Sequence, residues 1–261
     1  MKASARVVVE HRRGRSRCTT LASAPPLSFR ATDTALHLVG TAAGPVGGDD
    51  LTLDIAVAAG ASLTVRSVAA QIVLPAPSPA PSTLAMTVEV GPGATLRWLP
   101  EPTVLVRGAD HRLTTTVALA AKADLVWRDE VVQGRHAEAG GSLLHRFRVE
   151  RNGVPLLCTE LALGPAWPTA AGPAGTGAAR VVTSLLLVGA PARAALAHDG
   201  GAGLSGVSSD RHTRWAKFPL APAAILFNAV GDDLATTRTA LSQHLRGSEH
   251  LLADPFPGVL D

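Results

Sequence analysis

Three stretches of this chain echo one another: VAAGASLTV at 57–65, VGPGATLRW at 90–98 and LAAKADLVW at 119–127, each led in by alternating apolar residues. A unit that recurs about every thirty residues and contains strands and tight turns points to stacked β-coils rather than to a sheet interleaved with helices. With Leu63, Leu96 and Leu125 taken as equivalent, the residues six earlier are Val57, Val90 and Leu119, and those eight earlier are Ile55, Val88 and Val117. Ten earlier stand Leu53, Met86 and Thr115, the last being the one polar exception. Period-two alternation turns one side of a strand to a core and the other to water or a neighbouring layer. Each unit therefore reads as a strand, a turn at Gly60, Gly91–Gly93 or Ala121–Lys122, and a second strand. Three unrelated hairpins of an all-β domain are the alternative, and the common register favours the coils.

Around this body the organisation is coarser. Residues 5–10 and 35–39 have the pattern of early strands, separated by Pro25-Pro26, and a glycine-rich turn over 42–50 feeds the first unit. Prolines at 75, 77, 79 and 81 make an extended connector between the first two units. Residues 142–150 and 154–163 read as a hairpin turning at Asn152-Gly153, the strongest short hairpin signal in the chain. A Pro/Gly-rich loop over 164–179 follows, and 180–189 fits strand or helix by periodicity alone. Asp232-Asp233 ahead of Leu234, Leu241 and Leu245, with Arg246 in the last turn and Gly247 after it, marks a helix near the C-terminus. The segment Asp254–Gly258 reads as an irregular tail. The expected fold class is mainly β: a solenoid-like β-superhelix with a few peripheral α-helices. A single domain spans 1–261, with the coil body over 1–163 and C-terminal strands and helix over 180–250; 261 residues suffice to bury a large core.

Composition excludes several functions. Aromatic residues are 3% of the chain and Tyr is absent, which speaks against a sugar-binding cleft or a single-strand nucleic-acid platform, both built on aromatic faces. A net charge of +3 is small for a nucleic-acid binder, and the basic run His11–Arg17 reads as a solvated turn between two strands. The N-terminus meets charge by Glu10 with no long apolar run, and the uncharged stretch 161–179 is broken by Pro and Gly, so neither a signal peptide nor a membrane span is expected. Cys18 and Cys158 form no CxxC pair, which leaves neither a disulfide framework nor a zinc site and points to a soluble cytoplasmic protein. No phosphate loop, nucleophile elbow or metal-spaced histidine pair stands out, and His111 and His145 read as surface or hydrogen-bonded residues. Acidic residues beside apolar strands draw attention at Asp49-Asp50, Asp129-Glu130 and Glu160. An inward carboxylate is costly unless it meets a cation or water. Solvent exposure or pairing with Arg is the plainer account.

An ordered set of motifs then emerges: Val46-Gly47-Gly48-Asp49, Gly60-Ala61, Gly93-Ala94-Thr95-Leu96-Arg97-Trp98-Leu99-Pro100-Glu101, Gly108-Ala109, and Asp129 ahead of Gly134-Arg135. In order and spacing this set resembles the UreD (UreH) family of urease accessory proteins over about residues 6–250. Its most specific part is the element Trp98-Leu99-Pro100 followed by the Gly108-Ala109 turn. The resemblance implies a β-superhelix without an active site of its own. It implies binding to the urease apoprotein and to a UreF-like helical accessory protein, which recruits a UreG-like GTPase. No tightly bound cofactor is implied, only transient nickel on its way to the urease active site through an internal tunnel. By motif, Asp49, Asp129 and Glu160 match acidic positions linked to that tunnel, while Arg135 is expected to organise its turn through charge-assisted hydrogen bonds. Spaced carboxylates suit a divalent ion in transit because they release it more readily than a closed His/Cys cage. The chain departs from the family pattern at Arg66–Val73, where the usual Lys and Tyr are missing, and after Gly134-Arg135, where Gly140-Gly141 stands without the usual acid. Two other classes remain as rivals: a carbohydrate-active β-helix enzyme and a metal-free β-solenoid interaction module. The shortage of aromatics counts against the first, and the second has no need of the motifs in order.

Overall fold

In chain order the strands are β1 (Lys2–Arg12), β2 (Arg15–Ala22), β3 (Leu27–Ala31), β4 (Leu36–Gly40), β5 (Asp50–Val57), β6 (Ser62–Ser67), β7 (Gln71–Val73), β8 (Ser82–Val90), β9 (Thr95–Leu99), β10 (Thr103–Leu105), β11 (Asp110–Leu119), β12 (Asp124–Gln133), β13 (Ser142–Arg151), β14 (Val154–Leu163) and β15 (Val181–Val188). Helix α1 (Ala190–Ala197), strands β16 (Ser205–Val207), β17 (Arg214–Ala221) and β18 (Ala224–Gly231), and helix α2 (Leu234–Gln243) follow. The computed structural model describes residues 1–77, 80–177, 179–197, 204–207, 213–243, 245 and 251–252.

The echoed units are the rungs of a β-superhelix. Strands β5, β8 and β11 lie parallel in a seven-stranded sheet of order β14-β13-β11-β8-β5-β1-β2. Strands β6, β9 and β12 lie parallel in an eleven-stranded sheet that runs β16-β17-β18-β15-β12-β9-β6-β4-β3, with β7 and β10 off that path. The pairing reproduces the sequence alignment: Val57 opposes Val90 and Val90 opposes Leu119, while Leu63 opposes Leu96 and Leu96 opposes Leu125. These side chains, with Leu53, Ile55, Met86, Val88 and Val117, fill one core between the two sheets. Each fully buried Val or Leu contributes about 1.5–3 kcal/mol, so the repeated register is what makes the stack cohere. The turns match as well. Gly60, Gly93 and Lys122, each three residues before its aligned leucine, all adopt left-handed backbone (φ +68, +65 and +59°). Short β7 and β10 pair parallel with each other, and β10 with β12, forming the return leg of the coil.

Beyond the third unit the pattern changes. Strand β13 adds parallel to β11, and β14 turns back antiparallel to it, as the Asn152-Gly153 signal predicts. The ambiguous 180–189 segment resolves as strand β15, because it is hydrogen-bonded between β12 and β18. The loop 164–179 holds a short 3-10 turn at Pro168–Ala171.

Helices α1 and α2 cover the outer face of the larger sheet through a second core that includes Leu99, Val126, Leu185, Leu187, Phe227 and Leu241. The acidic start expected for α2 is a true cap: Asp233 Oδ1 accepts the Thr236 N–H at 2.9 Å. Asp124 Oδ1 accepts the Ala190 N–H at 2.7 Å and so serves α1 from another strand. Leu245 is buried, whereas Arg246, Gly247 and the Asp254–Gly258 tail lie outside the described residues. Among the described residues no helix is long and apolar enough to cross a membrane.

Candidate functional site

Period-two alternation decides which polar residues the coil swallows. On β12, Trp127 faces the main core, Arg128 faces outward, Asp129 faces in again and Glu130 lies buried beneath α2. The inward row begun by Asp129 continues across the larger sheet: Asp129 opposes Ser184 on β15, and Ser184 opposes Asn228 on β18. Facing this row from the smaller sheet are His145 and Phe147 on β13 and Thr159 and Leu161 on β14. Together these side chains line a cavity of about 430 Å³, roofed in part by Ala170, Gly175 and Thr176 of the Pro/Gly-rich loop. That size and its mostly apolar lining with a few convergent polar groups are typical of small-ligand sites.

The aromatic wall beside the cavity is continuous. Trp98 stacks on Trp127 (5.1 Å between ring centres), Trp127 on Phe147 (5.4 Å) and Phe147 on His145 (5.8 Å). Trp127 donates its indole N–H to Asp129 Oδ2 at 2.7 Å. Burial pushes the Asp129 pKa up to about 6, further raised by Glu130 and opposed by the Trp127 hydrogen bond and by Arg128. Burial also pushes His145 down to about 4, and His111 likewise to about 4 with help from the nearby His145. Both imidazoles are therefore neutral, and both are hydrogen-bonded: His111 Nδ1 lies 2.8 Å from Ser82 Oγ, and His145 Nε2 lies 3.2 Å from the hydroxyl of Thr115. The polar exception in the repeat, Thr115, thus has a buried partner.

The three acidic candidates do not converge on one point. Asp129 and Glu160 both line the cavity, but the exposed Glu160 carboxylate is bonded to Arg146 Nε at 2.8 Å. Asp49 lies just ahead of β5, four strands from β14, roughly 19 Å at ordinary strand spacing. It is buried, accepts the Val46 N–H at 2.8 Å and pairs with the amino group of Met1. Gly47 and Gly48 complete that turn, with the Gly47 N–H donating to Leu74 O at 3.1 Å. Of the Trp-Leu-Pro element, Trp98 enters the aromatic stack, Leu99 packs under the helices and the Pro100 carbonyl accepts from Arg128 at 2.8 Å. Gly134 takes φ +73°, and any Cβ there would collide with the Glu138 carbonyl. Arg135 is exposed and grips Glu138 through Nε at 2.9 Å and Nη2 at 3.1 Å. Among the described residues no group of three or more His, Cys, Asp or Glu side chains is placed to hold a metal ion.

Sequence reasoning passed over His145 as a site residue and did not single out Asn228 or Thr159. A signal existed for Asn228, the lone polar side chain in the run AILFNAVG, and for Ser184 within VVTSLLLV. What it lacked was the strand order that sets the two side by side.

Comparison with known proteins adds the family. A model of the UreD urease accessory protein family matches residues 1–256. The urease accessory protein UreD of Parafrankia sp. strain EAN1pec is 41% identical, covering 94% of this chain and 87% of that protein. The UreD of Frankia alni is 44% identical over 84% of this chain and 73% of its own length, and that of Frankia casuarinae is 40% identical over 88% and 76%. The ordered motifs, the β-superhelix that carries them and these matches agree: the chain belongs to the UreD family of urease accessory proteins.

Proposed function

We propose that this chain is a non-catalytic scaffold of urease maturation in the cytoplasm. It binds the urease apoprotein and a UreF-like helical accessory protein, through which a UreG-like GTPase joins, and it helps deliver nickel to the urease active site. The cavity beside Asp129 serves as part of an internal passage for the ion. The observation that carries this reading is the polar row Asp129–Ser184–Asn228 set into an otherwise apolar core, facing neutral His145 and reached by Glu160. A divalent ion in transit needs ligands that bind weakly and in sequence. A carboxylate, an amide, hydroxyls and an uncharged imidazole around one space are such a set. Asp49, whose carboxylate already serves its own turn, joins the passage in this reading only as a more remote acidic position.

The test is nickel content and activity of urease in a host carrying the urease structural and accessory genes with this one deleted. Restoration by the wild-type chain, and reduced nickel loading with Asp129→Asn or Glu160→Gln while the chain still co-purifies with apo-urease, is the expected result. Full loading without the chain would sink the maturation role. Full loading by both variants would sink the passage and leave the scaffold.

A further inference from the structure

The chain carries a formal charge of +3, from 24 Lys and Arg against 21 Asp and Glu. Residues 10–17 contain Glu10 and Arg12, Arg13, Arg15 and Arg17, which sum to the same +3 and leave the other 253 residues neutral. These residues form the turn end of the β1–β2 hairpin, and their four arginines are all exposed. The hairpin is also anchored. Val7 and Val9 are buried in the core, and the buried Ser16 accepts the Ser62 N–H through its Oγ at 2.8 Å, tying the hairpin end to the first coil turn.

Its local chemistry is mixed for hairpin stability. Arg12 stands directly opposite Arg15, and like charges facing each other across a strand pair are unfavourable, while Glu10 offsets part of this by pairing with Arg12 at 2.7 Å and standing opposite Arg17. Arg13 occupies the first turn position at φ +52°, where Asn, Asp or Gly fits best, with Gly14 at φ +78° behind it. A turn that only connects two strands gains nothing from an arginine at Arg13, and sites that break local rules without a stability return are where function is expected.

We propose that the β1–β2 hairpin is a preorganised docking element for an acidic protein surface, its four arginines meeting carboxylates of a partner in the urease-maturation assembly. The identity of the partner rests on the function proposed above. Rigid, forked guanidinium groups suit carboxylates, and a local concentration of one charge speeds encounter with the opposite one. The hairpin has no Phe, Tyr or Trp on which a nucleobase could stack.

Edge protection is the competing account, because β2 ends its sheet and charged residues on an edge strand block sheet-to-sheet association. The two accounts differ in sign. Edge protection works with either charge, whereas docking works only with positive charge.

The experiment is pull-down and titration of the full chain against its own apo-urease and accessory proteins, at low and high salt. It compares wild type, Arg13→Lys/Arg15→Lys and Arg13→Glu/Arg15→Glu, with circular dichroism and light scattering to confirm that each is folded and unaggregated. The expected result is retained binding by the lysine variant, a loss of about tenfold or more by the glutamate variant, and salt sensitivity only where the charge is positive. Equal binding by the glutamate variant would overturn the inference while the maturation role stands. Failure of the wild type to bind any of these proteins would overturn both. Charge-dependent binding to duplex DNA in place of protein would assign the hairpin to nucleic acid and overturn it too.

Discussion

His111 and His145 are held neutral by burial, with folded pKa values of about 4 against an ordinary 6.5, so acid acts on them through the unfolded chain. Above about pH 6.5 neither state binds the proton and the two residues leave stability unchanged. Below it the unfolded chain takes up protons that the folded protein refuses until about pH 4. Stability then falls by ~1.4 kcal/mol per pH unit for each histidine, on the order of 3 kcal/mol apiece over the interval. Asp129 has the opposite sign. Its folded pKa of about 6 lies above the ordinary 3.8, so its charge opposes folding at neutral pH. Between about pH 6 and 3.8 the folded state takes up a proton that the unfolded state does not, which returns ~1.4 kcal/mol per unit.

The three groups together predict a net loss of about one proton's worth of stability per pH unit between roughly pH 6 and 4. In Asp129→Asn the compensation is gone. That variant should exceed wild type near pH 7 by up to ~3 kcal/mol, since Asn keeps an acceptor for the Trp127 indole. The advantage should shrink steadily as the pH falls, because the other ionisable groups cancel in the difference. Urea unfolding midpoints of the two proteins, measured at intervals from about pH 7 to 4.5 with constant m-values, give that difference directly. Parallel curves would refute the assignment of Asp129. A wild-type curve showing no dependence on the two histidines, tested with His145→Gln, would refute the buried neutral pair.

Two more predictions concern the scaffold. Arg238 on α2 reaches Glu130 through Nε at 2.8 Å, and the Glu130 side chain is fully buried with Arg128 as its other cation at 3.4 Å. Arg238→Met should therefore cost ~1–3 kcal/mol, because the buried Glu130 carboxylate keeps only Arg128 at 3.4 Å and loses its two hydrogen bonds to Arg238; thermal unfolding of the variant checks this. At the equivalent turn positions the signs should oppose: Gly60→Ala should destabilise by about 1 kcal/mol or more, whereas Lys122→Gly should be neutral or stabilise slightly, because Lys122 already pays for a left-handed backbone. Urea midpoints for the pair decide it, and equal signs would contradict the shared geometry.

The superhelix was legible because its information is periodic. Leu63, Leu96 and Leu125 announce their alignment through spacing alone, and the observed register follows it residue for residue. The Asn152-Gly153 turn and the Asp233 cap were legible because each acts within a few residues. Segment 181–188 was not, since VVTSLLLV suits a buried strand or a buried helix and only its neighbours β12 and β18 decide between them. For the site, Asp129 and Glu160 could be named from motifs, but their shared cavity could not be foreseen. It depends on an antiparallel return from β15 to β18 that no spacing encodes. Asp49 shows the converse: the Gly47-Gly48-Asp49 motif is conspicuous in sequence, and its contacts are those of a turn.

The position of the cavity has a physical cause in the same periodicity. Within the stacked units most inward rows repeat apolar side chains, as in Ile55–Val88–Val117 or Leu63–Leu96–Leu125, with Thr115 and the Ser82–His111 pair as hydrogen-bonded exceptions, so the coils fill the space offered by their neighbours. Past the third unit the repeat ends. Leu51, Leu84 and Leu113 are followed in their row by His145, and Val65, Trp98 and Trp127 lead along the strand to Asp129. The opposing wall comes from β15 and β18, strands of another origin that contribute Ser184 and Asn228. Polar groups can be accommodated there because no further coil demands a leucine in their place, and a space bounded by them can hold water or an ion where the regular core cannot. A solenoid therefore has room for buried polar groups at the end of its repeats, which is where Asp129 lies.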